Sequence, residues 1–295
     1  MKKIIEQQHF TGERSLFGGK NLSIRNSVFE DGESPLKEST NLEILDSIFR
    51  WKYPLWYCEN VELSNTTLLE TARSGIWYTN NISIKDSMIQ APKTFRRGKN
   101  IRLTNVHMPK AEETFWNCED ITLDNVQVEG HYFGMNSKNI QAKDFFLSGN
   151  YAFDGAENIE IHHSKLISKD AFWNCKDVTV YDSTIIGEYL GWNSSNLRFV
   201  NCYIESEQGL CYIKDLVIEN GKIVNTDLAF EYSTIDVSVS TTIDSVKNPF
   251  SGKIKAKNIG ELIMEEKEVN PEETVICLTD SCDFENTNLL KQKID

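Results

Sequence analysis

Asn139-Ile-Gln-Ala-Lys-Asp144, Asn158-Ile-Glu-Ile-His-His163, Asp177-Val-Thr-Val-Tyr-Asp182 and Asn196-Leu-Arg-Phe-Val-Asn201 are four copies of one phrase, and that phrase decides the fold. Asn or Asp comes first, then an aliphatic residue, any residue, and a second apolar residue. The phrase also opens at Asn21, Asn41, Asn60, Asn81, Asn100, Asp120 and Asp215, so consecutive copies stand 19 to 21 residues apart. Weaker copies follow at Thr234 and Lys253. A fixed period of this length marks a stacked repeat architecture.

Taking the Asn or Asp as the anchor of each coil, apolar residues one and three positions later alternate with polar ones. That is a strand with one buried face. Five positions after the anchor runs a second column of Asn, Asp and His, from Asn26 to Asn220. These residue types accept left-handed backbone and bond their own turn, which predicts a corner. Eight after the anchor is an apolar column, Phe29 to Ile223, read as a second strand. Five before it, Leu36, Leu55, Ile76, Phe95, Phe115, Phe153 and Phe172 suggest a third. Three short strands per coil make a parallel β-solenoid, all-β and single-stranded, of about 12 coils of 19–20 residues with rungs about 4.8 Å apart. The expected division is one domain: an N-terminal cap over 1–20, coils over 21–259, and a C-terminal cap and tail over 260–295.

The net charge of −13 argues against nucleic acid, whose phosphates need a basic surface. No apolar run approaches the length of a membrane span, and the amino terminus has no signal-peptide pattern. Seven cysteines leave at least one thiol unpaired within the chain, and a cytoplasmic location is expected. Cys58, Cys118 and Cys175 share a column three coils apart, too far for disulfides. There is no Cys/His metal spacing and no phosphate loop, so no metal or cofactor is expected.

One column has chemical character. Four before the anchor stand Trp56, Trp77, Arg96, Trp116, Met135, Asp154, Trp173 and Trp192. Two registers compete. If the column faces out, the tryptophans form a groove whose indoles could stack on sugar rings and donate an N–H. If it faces in, they are stacked core. Arg96 and Asp154 favour the outward register, because neither belongs unpaired in an apolar interior. On that reading Trp56, Trp77, Trp116, Trp173 and Trp192 are the platform, Arg96 and Arg97 hold a hydroxyl-rich or anionic group, and Asp154, with Glu113 or Asp170, moves protons. His131 is a further candidate base. Asn117, Asn136, Asn174 and Asn193, at the next position, mark either a corner or a ladder of amides.

Several segments resemble one bacterial family. They include Phe10-Thr-Gly-Glu-Arg-Ser-Leu-Phe-Gly18, Trp51-Lys-Tyr-Pro-Leu-Trp-Tyr-Cys58, Glu113-Thr-Phe-Trp-Asn-Cys118 and Tyr189-Leu-Gly-Trp-Asn193. The family is an uncharacterised domain of unknown function with a pectin-lyase-like right-handed parallel β-helix. The resemblance implies the hand of the solenoid. It implies no established activity and no catalytic residues. Calcium, common among extracellular pectin lyases, would need a carboxylate cluster for which this sequence has no match. The expected function is carbohydrate binding or processing, as a glycoside hydrolase, polysaccharide lyase or sugar isomerase. The alternative is a non-catalytic sugar-binding or scaffold protein. The sequence leaves the oligomeric state open.

Overall fold

A computed structural model describes residues 1–279; the end of the expected C-terminal tail, 280–295, lies outside the described residues. The chain is a right-handed parallel β-helix. Its longest ladder runs through Lys3–Glu6, Lys20–Arg25, Thr40–Leu45, Glu59–Ser64 and Asn80–Ile89. It continues through Lys99–Met108, Glu119–Glu129, Lys138–Lys143, Glu157–His162 and Lys176–Tyr181. Ser195–Val200, Lys214–Val224, Thr234–Val239, Ser251–Ala256 and Thr274–Leu278 complete it. Every pairing is parallel, and from Asn21 to Thr234 each anchor phrase lies over its predecessor; the register shifts once, between Ile218 and Gly221.

That ladder has fifteen rungs rather than about twelve. The difference lies at the ends. Lys3–Glu6, within the segment expected to be a cap, already pairs residue for residue with Leu22–Arg25. Thr274–Leu278 pairs with Gly252–Ala256 at the other end. The weak copy placed at Lys253 is also shifted: Thr234 pairs with Ser251, so this coil is two residues shorter than the one before it.

The corners explain the anchor residue types. Both Asn/Asp columns take left-handed backbone, with φ of 53–62° from Asn21 to Asp215 in the first and 47–55° from Asn26 to Asn220 in the second. Side-chain amides then bond from coil to coil: Asn41 Nδ2 donates to Asn21 Oδ1 at 3.0 Å, Asn60 to Asn41 at 3.1 Å and Asn100 to Asn81 at 2.7 Å. In the second column Asn125 donates to Asn105 at 2.9 Å and Asn220 to Asn201 at 2.9 Å. Asn, small and both donor and acceptor, tolerates the backbone and continues the ladder. The amide ladders therefore run in these two columns. Asn117, Asn136, Asn174 and Asn193 are a corner, at φ 53–58°.

The column eight after the anchor is wholly internal, with Phe49, Leu68, Ile89 and Met108 at 0% exposure. The column five before the anchor also points inward, and Phe95 stacks on Phe115 at 4.4 Å. It forms strands only at Ile76–Trp77 and Phe95–Arg96, not in every coil. Phe115, Phe153, Phe172 and Leu210 sit at φ 58–66°, which breaks the extended backbone and makes this third side a series of turns. Small residues two before the anchor close a buried polar ladder there. Ser194 Oγ accepts from the Cys175 amide at 2.8 Å and donates to the Phe172 carbonyl at 2.6 Å. Cys58, Cys118 and Cys175 are free and buried in the same column, and burial pushes the Cys58 and Cys118 thiols up to about 12.

Candidate functional site

With the residue five before the anchor turned into the core, the next residue faces out. Its side chain also reaches the following coil, always at the residue seven before that coil's anchor. Trp56 Nε1 donates to the Ser74 carbonyl at 2.5 Å, Trp77 to Lys93 at 2.8 Å and Trp116 to Tyr132 at 2.7 Å. Trp173 donates to Tyr189 at 2.5 Å and Trp192 to Gln208 at 2.9 Å. All five platform tryptophans are half-buried on the outer wall. Their N–H groups are engaged by backbone, so they are not free donors for a ligand.

The indole faces are largely engaged as well. Trp56 and Trp77 stack at 5.1 Å and 7°. The Arg96 guanidinium lies between the next two rings, 4.8 Å from Trp77 and 4.4 Å from Trp116. Arg97 lies over Tyr78 at 5.9 Å, and Tyr78 stacks on Tyr57 at 4.7 Å. A second aromatic run begins at Trp173, which stacks on Trp192 at 5.8 Å, with Tyr212 edge-on to Trp192 at 5.0 Å. Between the runs the column reads Met135, Asp154. Trp116 has Arg96 on one face and no ring against the other among the described residues, while Tyr151 meets Trp173 edge-on at 5.8 Å. The wall of aromatics is thus interrupted for two coils.

The two charged members of the column obey the same reach with opposite results. Arg96 meets the residue seven before the next anchor, Glu113, through Nη2 to Oε2 at 2.7 Å. Lys93 Nζ is 3.0 Å from the same oxygen, so Glu113 is the counter-ion of two cations. Asp154 stands opposite Asp170 in the equivalent relation. Asp154 Oδ1 accepts from Asn174 Nδ2 at 2.7 Å, and this side chain is half-exposed. Asp170 is 2% exposed, and its Oδ2 is enclosed without a hydrogen-bond partner. Burial is the main cause pushing its carboxyl above the usual carboxylate range; Lys169 pulls it down, and Glu188 and Asp154 add to the rise. Lys169 offsets part of that rise, and its ammonium is itself paired with Glu188 at 3.0 Å. The two carboxyl groups thus sit in unlike environments, one enclosed and one wet, an arrangement that acid–base chemistry can use.

An open groove of about 560 Å³ is lined among others by Glu112, His131, Asn150, Lys169 and Glu188 over Gly130, Gly149 and Gly187; it reaches Lys169, the neighbour of Asp170, but is lined by neither Asp154 nor Asp170. His131 Nδ1 accepts from the Asn150 amide at 2.9 Å. That bond occupies one ring nitrogen of an exposed side chain. The structure therefore brings Asp154 and Asp170 together, and separately Arg96 with Glu113. Sequence columns missed Lys93, which pairs along its own column with Glu113, and Tyr151, whose contact with Trp173 is a diagonal step that a column does not display.

The chain belongs to the family described as "Protein of unknown function (DUF3737)", which matches residues 3–277. No curated protein matches it in sequence. Among solved structures, it is similar to PfbA, a surface adhesin of Streptococcus pneumoniae, with 12% identity, 80% of this chain and 73% of that chain covered, and a TM-score of 0.38. It is similar to the A-module of the mannuronan C-5 epimerase AlgE6 of Azotobacter vinelandii, with 10% identity, coverage of 93% and 89%, and a TM-score of 0.31. The catalytic domain of a GH87 alpha-1,3-glucanase is similar at 11% identity over 94% of this chain and 64% of that chain, with a TM-score of 0.38. At these values no residue role carries over.

Proposed function

We propose that this protein binds and processes a carbohydrate at the interruption of its aromatic wall, with Asp154 and Asp170 as the proton-handling pair. The enclosed and unpartnered Asp170 carboxyl, with Asp154 as a like charge on the neighbouring coil, is the observation that carries the reading. An enclosed carboxyl group with a raised pKa is suited to hold a proton for transfer. Trp116 and Trp173 bound the gap and offer the aromatic surface that sugar rings favour. Trp56, Trp77 and Trp192 extend the wall on either side. Glu113 acts with Arg96 and Lys93 as a fixed ion cluster, so its part is recognition rather than proton transfer. Arg96 and Arg97 hold hydroxyl or anionic groups at the edge of the gap. The buried thiols support a cytoplasmic location, where they stay reduced.

A non-catalytic sugar-binding or scaffold role is the second reading. It is favoured by the engagement of every platform indole N–H with backbone, which is what a purely structural ladder would also show. A panel of oligosaccharides incubated with the protein, with Asp154→Asn and with Asp170→Asn separates the two. The enzyme reading expects product from the parent protein, none from either variant, and retained binding in both. Binding without turnover by the parent supports the second reading. Equal turnover by all three proteins removes Asp154 and Asp170 from the chemistry.

A further inference from the structure

On the third side, the residue seven before each anchor belongs to a backbone ladder whose direction reverses once. In the earlier coils its N–H donates forward: Lys93 to the Glu112 carbonyl at 2.8 Å, Glu113 to His131 at 2.9 Å and Tyr132 to Asn150 at 2.9 Å. In the later coils it donates backward: Tyr189 to the Lys169 carbonyl at 2.9 Å and Gln208 to Glu188 at 3.0 Å. Tyr151 and Asp170 stand between the two senses. The carbonyls next to them are engaged from the far side: Asn150 by Tyr132, Lys169 by Glu188 and Tyr189, and Glu188 by Gln208 and by Ser206 Oγ. Among the described residues, neither the Tyr151 nor the Asp170 N–H donates a hydrogen bond.

The residue after Asp170 adds another donor. In the coils on either side, the Ala152 N–H donates to Ser168 Oγ at 3.3 Å and the Leu190 N–H to Ser206 Oγ at 3.3 Å. The residue that corresponds for Ala171 is Gly187, which has no hydroxyl, and a Cβ there would stand 2.1 Å from the Ser168 carbonyl oxygen. The Ala171 N–H therefore also lacks an acceptor among the described residues. Asp170 and Ala171 are 2% and 0% exposed, and Asp170 Oδ2 is enclosed without a partner. From Ser34 to Gln208, this is the one coil in which both consecutive N–H groups are left over.

Buried N–H groups without a partner are rare, and ordered water serves where the protein offers no acceptor. An internal water typically makes about three hydrogen bonds to such groups. Here two donors and one carboxyl oxygen belong to adjacent residues. The N–H groups repel a cation, and the Asp154, Asp170 and Glu188 carboxyls repel an anion. A small neutral molecule that both accepts and donates satisfies all three groups.

We propose that the Asp170 N–H, the Ala171 N–H and the Asp170 carboxyl hold one internal water molecule, and that this water carries protons between Asp170 and the outside of the wall. Asp170 is too enclosed to touch a bound saccharide, so its proton needs a carrier. The water takes the proton as the Asp170 O–H bond breaks and releases one of its own to the next acceptor outward, the Asp154 carboxylate; the water is unchanged. The role of the relay in turnover rests on the carbohydrate reading, whereas the water site does not.

The test begins with a crystal structure of the full chain at a resolution that shows ordered water. A water is expected within hydrogen-bond distance of Asp170 N, Ala171 N and Asp170 Oδ2. The same three groups bonded to protein atoms instead overturn the proposal. Magnetic relaxation dispersion of the water nuclei counts long-lived internal waters in solution. Asp170→Leu, which removes the acceptor and fills its space, should lose one relative to the parent, and Asp170→Asn should keep it; equal counts in all three proteins overturn the site. The relay is read by infrared spectroscopy in mild acid, on the protonated-carboxyl band that Asp170→Asn removes. Transfer into heavy water should shift this band within the mixing time, while the core amides stay unexchanged. A shift as slow as theirs overturns the relay. If both readouts are as expected and no saccharide is turned over, the water site stands and the carbohydrate reading falls.

Discussion

Arg96→Met tests whether the outer wall is a continuous energetic ladder or a set of independent side chains. The methionine keeps the apolar stem and removes the guanidinium. Two ring contacts are lost, at 4.8 Å to Trp77 and 4.4 Å to Trp116. Each is worth about 1 kcal/mol for a cation that is mostly desolvated, as this side chain is. The bond to Glu113 at 2.7 Å is lost too, and hydrogen bonds to charged groups contribute about 1.5–3 kcal/mol. Against this, Arg96 Nε is enclosed and unpartnered, and removing it returns about 1–3 kcal/mol. The net expectation is a loss of about 2–3 kcal/mol, read from chemical denaturation followed by tryptophan fluorescence. Glu113→Gln in the Arg96→Met background should then cost less than in the parent, because the shared interaction is already gone. A loss below about 0.5 kcal/mol, within the range of neutral surface substitutions, would refute the ladder. So would strict additivity of the two substitutions.

Asp170→Asn should stabilise the protein at neutral pH. The folded carboxyl titrates above its ordinary value of 3.8, so its contribution is fully present below pH 3.8 and is lost as pH rises through the folded value. The variant's advantage should therefore grow across that window and stay level to pH 7, as seen in melting temperatures taken over pH; an advantage confined to acid would show the sign to be wrong. Gly134→Ala should lose about 1–3 kcal/mol. Gly134 has φ +81°, and an added Cβ would stand 2.6 Å from the Phe153 ring; an unchanged melting temperature would mean that the coil yields there without strain.

Period and polarity together made most of the architecture legible in the sequence. The anchor and corner columns are visible because left-handed backbone restricts residue type, so Asn and Asp recur wherever the corner recurs. The inward columns are visible because one face of each strand is apolar. The third side is less legible. Phe115 and Phe153 read as strand residues by their apolar character, yet both take left-handed backbone, which aromatic residues do not advertise. The ends were misjudged for a related reason: Lys3-Ile-Ile-Glu6 lacks an Asn anchor, and only three-dimensional register reveals it as a rung. At the candidate site, the outward turn of the tryptophans followed from Arg96 and Asp154, which an interior would not hold. The columns also place Asp154 and Asp170 on neighbouring coils, but they do not give the enclosure of Asp170, because a polar column does not show which of its members turns inward.

That diagonal step is a slot the fold repeats in almost every coil, and its occupants can be compared. Five times an indole N–H fills it with a carbonyl partner, and once Arg96 fills it with Glu113. Only Asp154 meets the next coil with a group of the same sign, over a buried carboxyl that lacks a partner. A chain selected for stability alone has two working solutions at hand in its own neighbouring coils and uses neither here. Sites where a local rule is broken without structural gain are where function is expected. Asp154→Arg makes the argument testable by copying the Arg96–Glu113 solution into this slot. Asp170 would then gain a counter-ion, and its carboxyl would move down into or below the ordinary range. The expected gain in unfolding free energy is about 1.5–3 kcal/mol, the contribution of a hydrogen bond to a charged group, with any carbohydrate turnover abolished. If the variant is less stable than the parent, the two carboxyl groups are not opposed as described; if it is more stable and equally active, the broken rule has no functional meaning.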